Sequence, residues 1–165
     1  MATKTATNRS DPAKSGSAFA AEAERLTNGA LIDEWLALYH PDALAEWIVD
    51  GCYERHDGID AIRPAATLMA DLWRREKLRV TKYLLCATDD TFVLSFDGTF
   101  EGRGSVGGSE VWSLHEGLVT HHRMYCYLDI RPRASWLAQA RVMVANPRIA
   151  TSILRLERQT ERGRL

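Results

Sequence analysis

Apolar residues recur at two different spacings along the chain, and the spacings mark its elements. Phe19, Ala23 and Leu26 stand three to four positions apart behind Ser17, which predicts a helix capped at Ser17 and stopping near Asn28-Gly29. Leu31, Ile32, Trp35, Leu36 and Leu38 predict a second helix that ends before Pro41. DALAEWIVDGCYERHDG is extended in character, with breaks at Asp50-Gly51 and Asp57-Gly58. In GIDAIRPAATLMADLWRRE the helical spacing returns, putting Ile59, Ile62, Ala66, Met69, Leu72 and Trp73 on one side of a third helix. LRVTKYLLCAT, TFVLSFDGTFEGR, SVGGSEVWSLHEG and EGLVTHHRMYCYLD then read as successive strands, and a helix from about Arg133 restarts at Asn146-Pro147. Helix, helix, extended pair, helix and antiparallel meander make an α+β pattern, with helices packed on one side of a curved, mostly antiparallel sheet and an extra helix at the C-terminus.

Strand alternation then sorts side chains by face. Glu110, Trp112 and Leu114 share one face, and Val111, Ser113 and His115 the other. Val93, Ser95, Asp97 and Thr99 oppose Phe92, Leu94, Phe96 and Phe100. In the last strand His122 goes with Met124, Cys126 and Leu128, while His121 goes with Arg123, Tyr125, Tyr127 and Asp129. Adjacent strand residues project oppositely, so His121 and His122 do not chelate one metal, and no metal is expected.

Composition narrows the class. With 165 residues, 45% of them hydrophobic, the chain suits one soluble domain. No apolar run is long enough to span a membrane, and the first residues lack a signal-peptide pattern, so the expected location is cytoplasmic and no membrane partner is expected. Cys52, Cys86 and Cys126 are odd in number with no CxxC spacing, and are expected to be reduced and buried. The formal charge of −1 is unevenly spread: residues 18–130 carry −9, whereas residues 131–165 hold eight arginines against Glu157 and Glu161. That tail mixes its arginines with Leu, Ile and Val and lacks interleaved stacking aromatics, so a solvated or body-facing helix is favoured over a nucleic-acid arm. The expected organisation is a disordered leader over residues 1–17, a domain over 18–130 and a basic helical extension over 131–165.

LIDEWLALYHPDALAEWIVDG, GIDAIR and SEVWSLHEGLVTHHRMYCYLD together resemble the SnoaL-like branch of the nuclear-transport-factor-2-like superfamily, over about residues 18–130. The resemblance implies a cone whose concave sheet face and helices enclose an apolar pocket. It implies a pocket position for Glu110, where ketosteroid isomerases keep an oxyanion-hole acid, so that a protonated Glu110 beside Trp112 could donate a hydrogen bond. It also brings Asp97 close to a catalytic aspartate of epoxide hydrolases of this fold. Each has a plainer alternative: an exposed hairpin carboxylate for Glu110, and a solvated acid at an Asp97-Gly98 bulge. His122 suits a proton carrier through its near-neutral pKa, or a hydrogen-bonded wall residue.

Two acids of the relatives are missing. The general base of ketosteroid isomerases falls on Trp47, with Glu46 turned the other way, and the acid before the YxD motif falls on Cys126; neither replaces a carboxylate base. The expected pocket therefore has Asp97, Glu110 and His122 as proton carriers and Trp47, Tyr53, Trp73, Trp112, Met124 and Cys126 as ligand contacts, with no cofactor. Three classes stay open: an acid/base enzyme (isomerase, cyclase, dehydratase or hydrolase) on an apolar cyclic or polyketide-like molecule, a non-catalytic hydrophobic-ligand or adaptor protein, and a small subunit of a ring-hydroxylating oxygenase. Strands such as TFVLSF and KYLLCAT are apolar on both faces, which suggests a homodimer through the outer sheet face.

Overall fold

A computed structural model describes residues 12–132 and 134–162. The chain forms two compact units, Met1–Ile130 and Arg131–Leu165. In the first, α1 (Pro12–Gly29) and the short α2 (Ile32–Leu36) precede a hairpin of β1 (Tyr39–Val49) and β2 (Cys52–Asp57). Next come α3 (Ile59–Arg75), β3 (Leu78–Ala87), β4 (Thr91–Phe100), β5 (Arg103–His115) and β6 (Leu118–Tyr127). The strands form one sheet in the order β2-β1-β6-β5-β4-β3, antiparallel except where β1 runs parallel to β6. The architecture is α+β.

The turns follow from local chemistry. Asp50-Gly51, Glu101-Gly102 and Glu116-Gly117 each adopt two consecutive positive φ angles, the backbone that matches the twist of a tight hairpin. β1 starts earlier than the sequence suggests, and Pro41 lies in a stretch between Tyr39 and Leu44 where the register with β6 shifts, so its missing N–H falls at an irregularity of the ladder. That early start puts the Tyr39 ring in the core.

α1 begins at Pro12, five residues before Ser17, so residues 12–17 of the expected leader form its first turns; residues 1–11 lie outside the described part. Proline suits the first helical position. Gly16 then lets the helix lie directly on Leu84 and Ala87, a tertiary contact that no periodicity signals. At its other end α1 closes the β3 edge of the sheet. The Asn28 side chain donates to the Val80 carbonyl and accepts from the Val80 N–H, both at 2.8 Å, and the Glu24 carboxylate accepts from the Lys82 N–H at 2.8 Å. These contacts satisfy backbone groups that an edge strand otherwise leaves unpaired, and they fix the strand that carries Lys82.

The core gathers the inward residues of the alternation, among them Trp47, Leu94, Trp112 and Met124, and Val119 joins them through a register shift between β5 and β6. Of the cysteines only Cys126 is buried. Cys52 opens the edge strand directly after the Gly51 turn, and Cys86 follows a register shift that turns it outward, so the expectation that all three are buried is corrected.

In the second unit the helical extension divides at the expected restart into α4 (Trp136–Ala145) and α5 (Pro147–Arg162), with Pro147 at the first position of α5. The two helices contact each other, and Ala138, Val142, Met143, Ala150, Ile153 and Leu154 line a groove between them. Among the described residues no helix is long and apolar enough to cross a membrane.

Candidate functional site

Between the inner sheet face and α3 lies a cavity of about 400 Å³. Its walls are mostly apolar, with Trp47 and Val49 from β1, Met69 and Trp73 from α3, Val80 from β3, Phe96 from β4, Val106 from β5, and Met124, Cys126 and Leu128 from β6 and the residue after it. Three ionisable side chains also line it and are themselves buried: Lys82, Glu110 and His122.

Alternation places all three. Lys82 is in phase with Leu78 and Val80, and Glu110 with Trp112. In the register of β5 and β6, Glu110 faces Met124 and Trp112 faces His122, so the acid and the imidazole sit on neighbouring strands one pair apart. The Lys82 ammonium donates to both Glu110 oxygens at 2.7 Å, with side-chain exposures of 3% and 5%. The Trp112 indole N–H donates to Glu110 Oε2 at 3.2 Å. A carboxyl group that accepts from an ammonium on both oxygens and from an indole as well is held as a carboxylate. Glu110 therefore lies in the pocket, but the expected protonated donor is corrected to the anionic half of a buried ion pair.

His122 stacks flat on Trp112, with ring centroids 3.6 Å apart and planes 11° from parallel. Its Nδ1 lies 2.6 Å from the Tyr39 hydroxyl and 3.4 Å from the Trp47 indole N–H. An indole nitrogen only donates, so Nδ1 must accept, and the ring proton belongs on Nε2. Nε2 is buried and has no hydrogen-bond partner among the described residues. Leaving such a donor unmatched costs about 1–3 kcal/mol. Burial, reinforced by the positive charges of Lys82 and His121, holds the His122 pKa well below its ordinary value, so the ring is neutral at pH 7. The site thus offers a neutral N–H donor beside a carboxylate and an ammonium, in otherwise apolar surroundings.

The other expected site residues divide. Trp47, Trp73, Met124 and Cys126 line the cavity. Trp112 stands behind the wall as the support of His122 and the partner of Glu110. Burial, and to a lesser degree the Glu110 charge, push the Cys126 thiol up to about 12, so it is an apolar contact and no nucleophile. Asp97 is exposed on the opposite face, one residue out of phase with buried Phe96, and lies apart from Glu110 and His122. Tyr53 is also outside: it pairs with Ile48, and its hydroxyl donates to Glu46 at 2.7 Å. There Glu46 also meets His121 Nε2 at 2.8 Å, and these two contacts, Tyr53 first, hold its carboxyl below the usual carboxylate range. His121 and His122 thus serve opposite faces of the sheet. Among the described residues no group of three or more His, Cys, Asp and Glu side chains is arranged to hold a metal ion.

Sequence reasoning missed Lys82 and Tyr39. The signal for Lys82 was present, because it stands two positions from Val80 in an alternating strand. Tyr39 gave none, since Pro41 reads as the end of a helix rather than part of a strand.

No family model matches the chain, and no curated protein matches it. Solved structures do match. A ketosteroid isomerase-like protein from Kribbella flavida superposes with a TM-score of 0.55 at 18% identity, over 74% of this chain and 84% of that one. The epoxide hydrolase/cyclase-like enzyme SalBIII, of pyran ring formation in the polyether salinomycin, gives 0.54 at 15% identity, over 69% and 92%. A SnoaL-like polyketide cyclase from Jannaschia sp. CCS1 gives 0.53 at 18% identity, over 73% and 90%. At these identities the likeness shows the fold, which is SnoaL-like and NTF2-like.

Proposed function

We propose that the protein binds a small apolar cyclic or polyketide-like molecule in this cavity and acts on it by cofactor-free acid/base chemistry, as an isomerase, cyclase, dehydratase or hydrolase. The observation that carries this reading is the presence of two buried polar side chains, the Glu110 carboxylate and the neutral His122 imidazole, in the wall of one apolar chamber; among the described residues the His122 Nε2–H has no hydrogen-bond partner. An oxygen of the bound molecule accepts from Nε2–H, and negative charge developing on that oxygen is stabilised there without a proton leaving the ring. Glu110 moves the proton, with Lys82 and Trp112 holding its position. The superposed ketosteroid isomerase-like protein and epoxide hydrolase/cyclase-like enzyme support the class.

A second reading has one observation in its favour. Both Glu110 oxygens are already engaged, which suits a purely binding pocket. Calorimetry with naphthalene and 2-naphthol separates the two stages. Both compounds are expected to bind, the naphthol about tenfold more tightly through one hydrogen bond, and His122→Phe is expected to remove that preference. Met69→Trp, which fills the chamber, is expected to abolish binding of both. If neither compound nor any similar ketone binds the native protein, the pocket reading is wrong. For an identified substrate, Glu110→Gln must stop turnover while leaving binding intact; unchanged turnover favours the binding reading.

Assembly belongs to the same proposal. Tyr83, Leu85, Tyr125 and Tyr127 project from the outer sheet face and are exposed, and pairing with a second copy would cover them. Sedimentation is expected to give a dimer, and Leu85→Glu with Tyr125→Glu a monomer; a monomeric native protein at micromolar concentration would refute this.

A further inference from the structure

Acid/base chemistry as described leaves Lys82 only the task of counter-ion to Glu110. Arginine would fill that task at least as well, since its planar fork matches a carboxylate and never loses its charge. This chain uses arginine almost everywhere: of its 21 basic residues only Lys4, Lys14, Lys77 and Lys82 are lysines. One of the four, Lys82, stands in the cavity wall, 3% exposed, with its ammonium 5.3 Å from the centre of the Phe96 ring. What lysine offers there and arginine does not is a primary amine that can give up a proton and attack carbon.

We infer that Lys82 captures aldehydes and ketones as an imine, so that the cavity is a site for carbonyl compounds. The inference rests on the proposed reading that a small apolar molecule enters this chamber. Both Glu110 oxygens lie 2.7 Å from Nζ, so the proton to be removed already has its acceptor. The proton passes from Nζ to Glu110, and the nitrogen lone pair forms a bond to the carbonyl carbon while the C=O π pair moves to oxygen. His122 Nε2–H donates to that oxygen, and Glu110 returns the proton to it. Glu110 then takes a second proton from nitrogen and delivers it to the hydroxyl, which leaves as water as the nitrogen pair closes the C=N bond. An ammonium and a carbonyl become an iminium and water, so the charge facing Glu110 is unchanged and no oxidant or reductant takes part. The resulting iminium withdraws electrons from the neighbouring carbon, where a proton can then be lost to Glu110.

Treating the native protein with cyclohexanecarbaldehyde and sodium cyanoborohydride, followed by peptide mapping, tests this directly. The reduced adduct is expected on Lys82 at a rate about tenfold above that on Lys77, which is exposed, with the order lost in concentrated urea. Lys82→Arg is expected to lose the adduct while still binding cyclohexylmethanol, the matched alcohol. Adducts on Lys77 with Lys82 untouched, alongside retained alcohol binding, would overturn the imine and leave the pocket reading standing. Failure of the alcohol to bind, with Lys82 untouched, would remove both.

Discussion

Lys82→Met is expected to destabilise the fold by about 3–5 kcal/mol, because it strands the Glu110 charge in an apolar chamber. The double variant Lys82→Met with Glu110→Gln is expected to recover most of that loss. The two ions are removed from water almost completely, so the pair is sustained by mutual attraction and by the Trp112 N–H, and little solvent is available to take over from a missing partner. Glutamine keeps an acceptor for Trp112, which makes the double variant a fair test of charge rather than of packing. Urea unfolding of the native protein, both single variants and the double variant closes the cycle. A coupling energy under about 1 kcal/mol would mean that the pair behaves like a surface salt bridge, and the enclosed site described above would be wrong.

The second large effect is a dependence of stability on pH. His122 is buried with its pKa well below the ordinary value, whereas in the unfolded chain it titrates near 6.5. Below about pH 6.5 the unfolded state therefore holds a proton that the folded state refuses, and the equilibrium shifts toward unfolding as pH falls. Stability contributed by the neutral ring is fully present above the unfolded pKa and is lost progressively as the pH falls through it. His122→Phe is expected to be less stable at neutral pH, since Tyr39 and Trp47 lose their acceptor, but to show a flatter profile between about pH 7.5 and pH 5. Equal slopes for the native protein and His122→Phe would show that the folded ring takes up a proton after all.

Strand alternation made much of this site legible. It put His122 with Met124 and Cys126, Glu110 with Trp112, and His121 on the other face, and the structure has each arrangement. It did not settle the charge state of Glu110, because that depends on Lys82 from β3, two strands away, and pairing across a sheet is not written in local spacing. Asp97 shows a limit of analogy: resemblance placed it near the chemistry although its own alternation set it against Phe96, and the alternation was the better guide. Tyr53 is similar, since its outward phase follows only from hairpin register. The start of α1 was illegible because residues 12–17 are ordered by contact between Gly16 and β3 rather than by an apolar stripe of their own.

The bonds from Asn28 and Glu24 of α1 to Val80 and Lys82 of β3 also bear on self-assembly. With that stretch of the edge engaged, the margin more open to a foreign strand is β2, Cys52–Asp57. Glu54, Arg55 and Asp57 crowd this short strand, and Arg55 and Asp57 are already bonded to each other at 2.8 Å. An incoming strand would have to disturb these charges along a run of only six residues, so the sheet has a natural stop at both ends and growth into fibres through its margins is opposed.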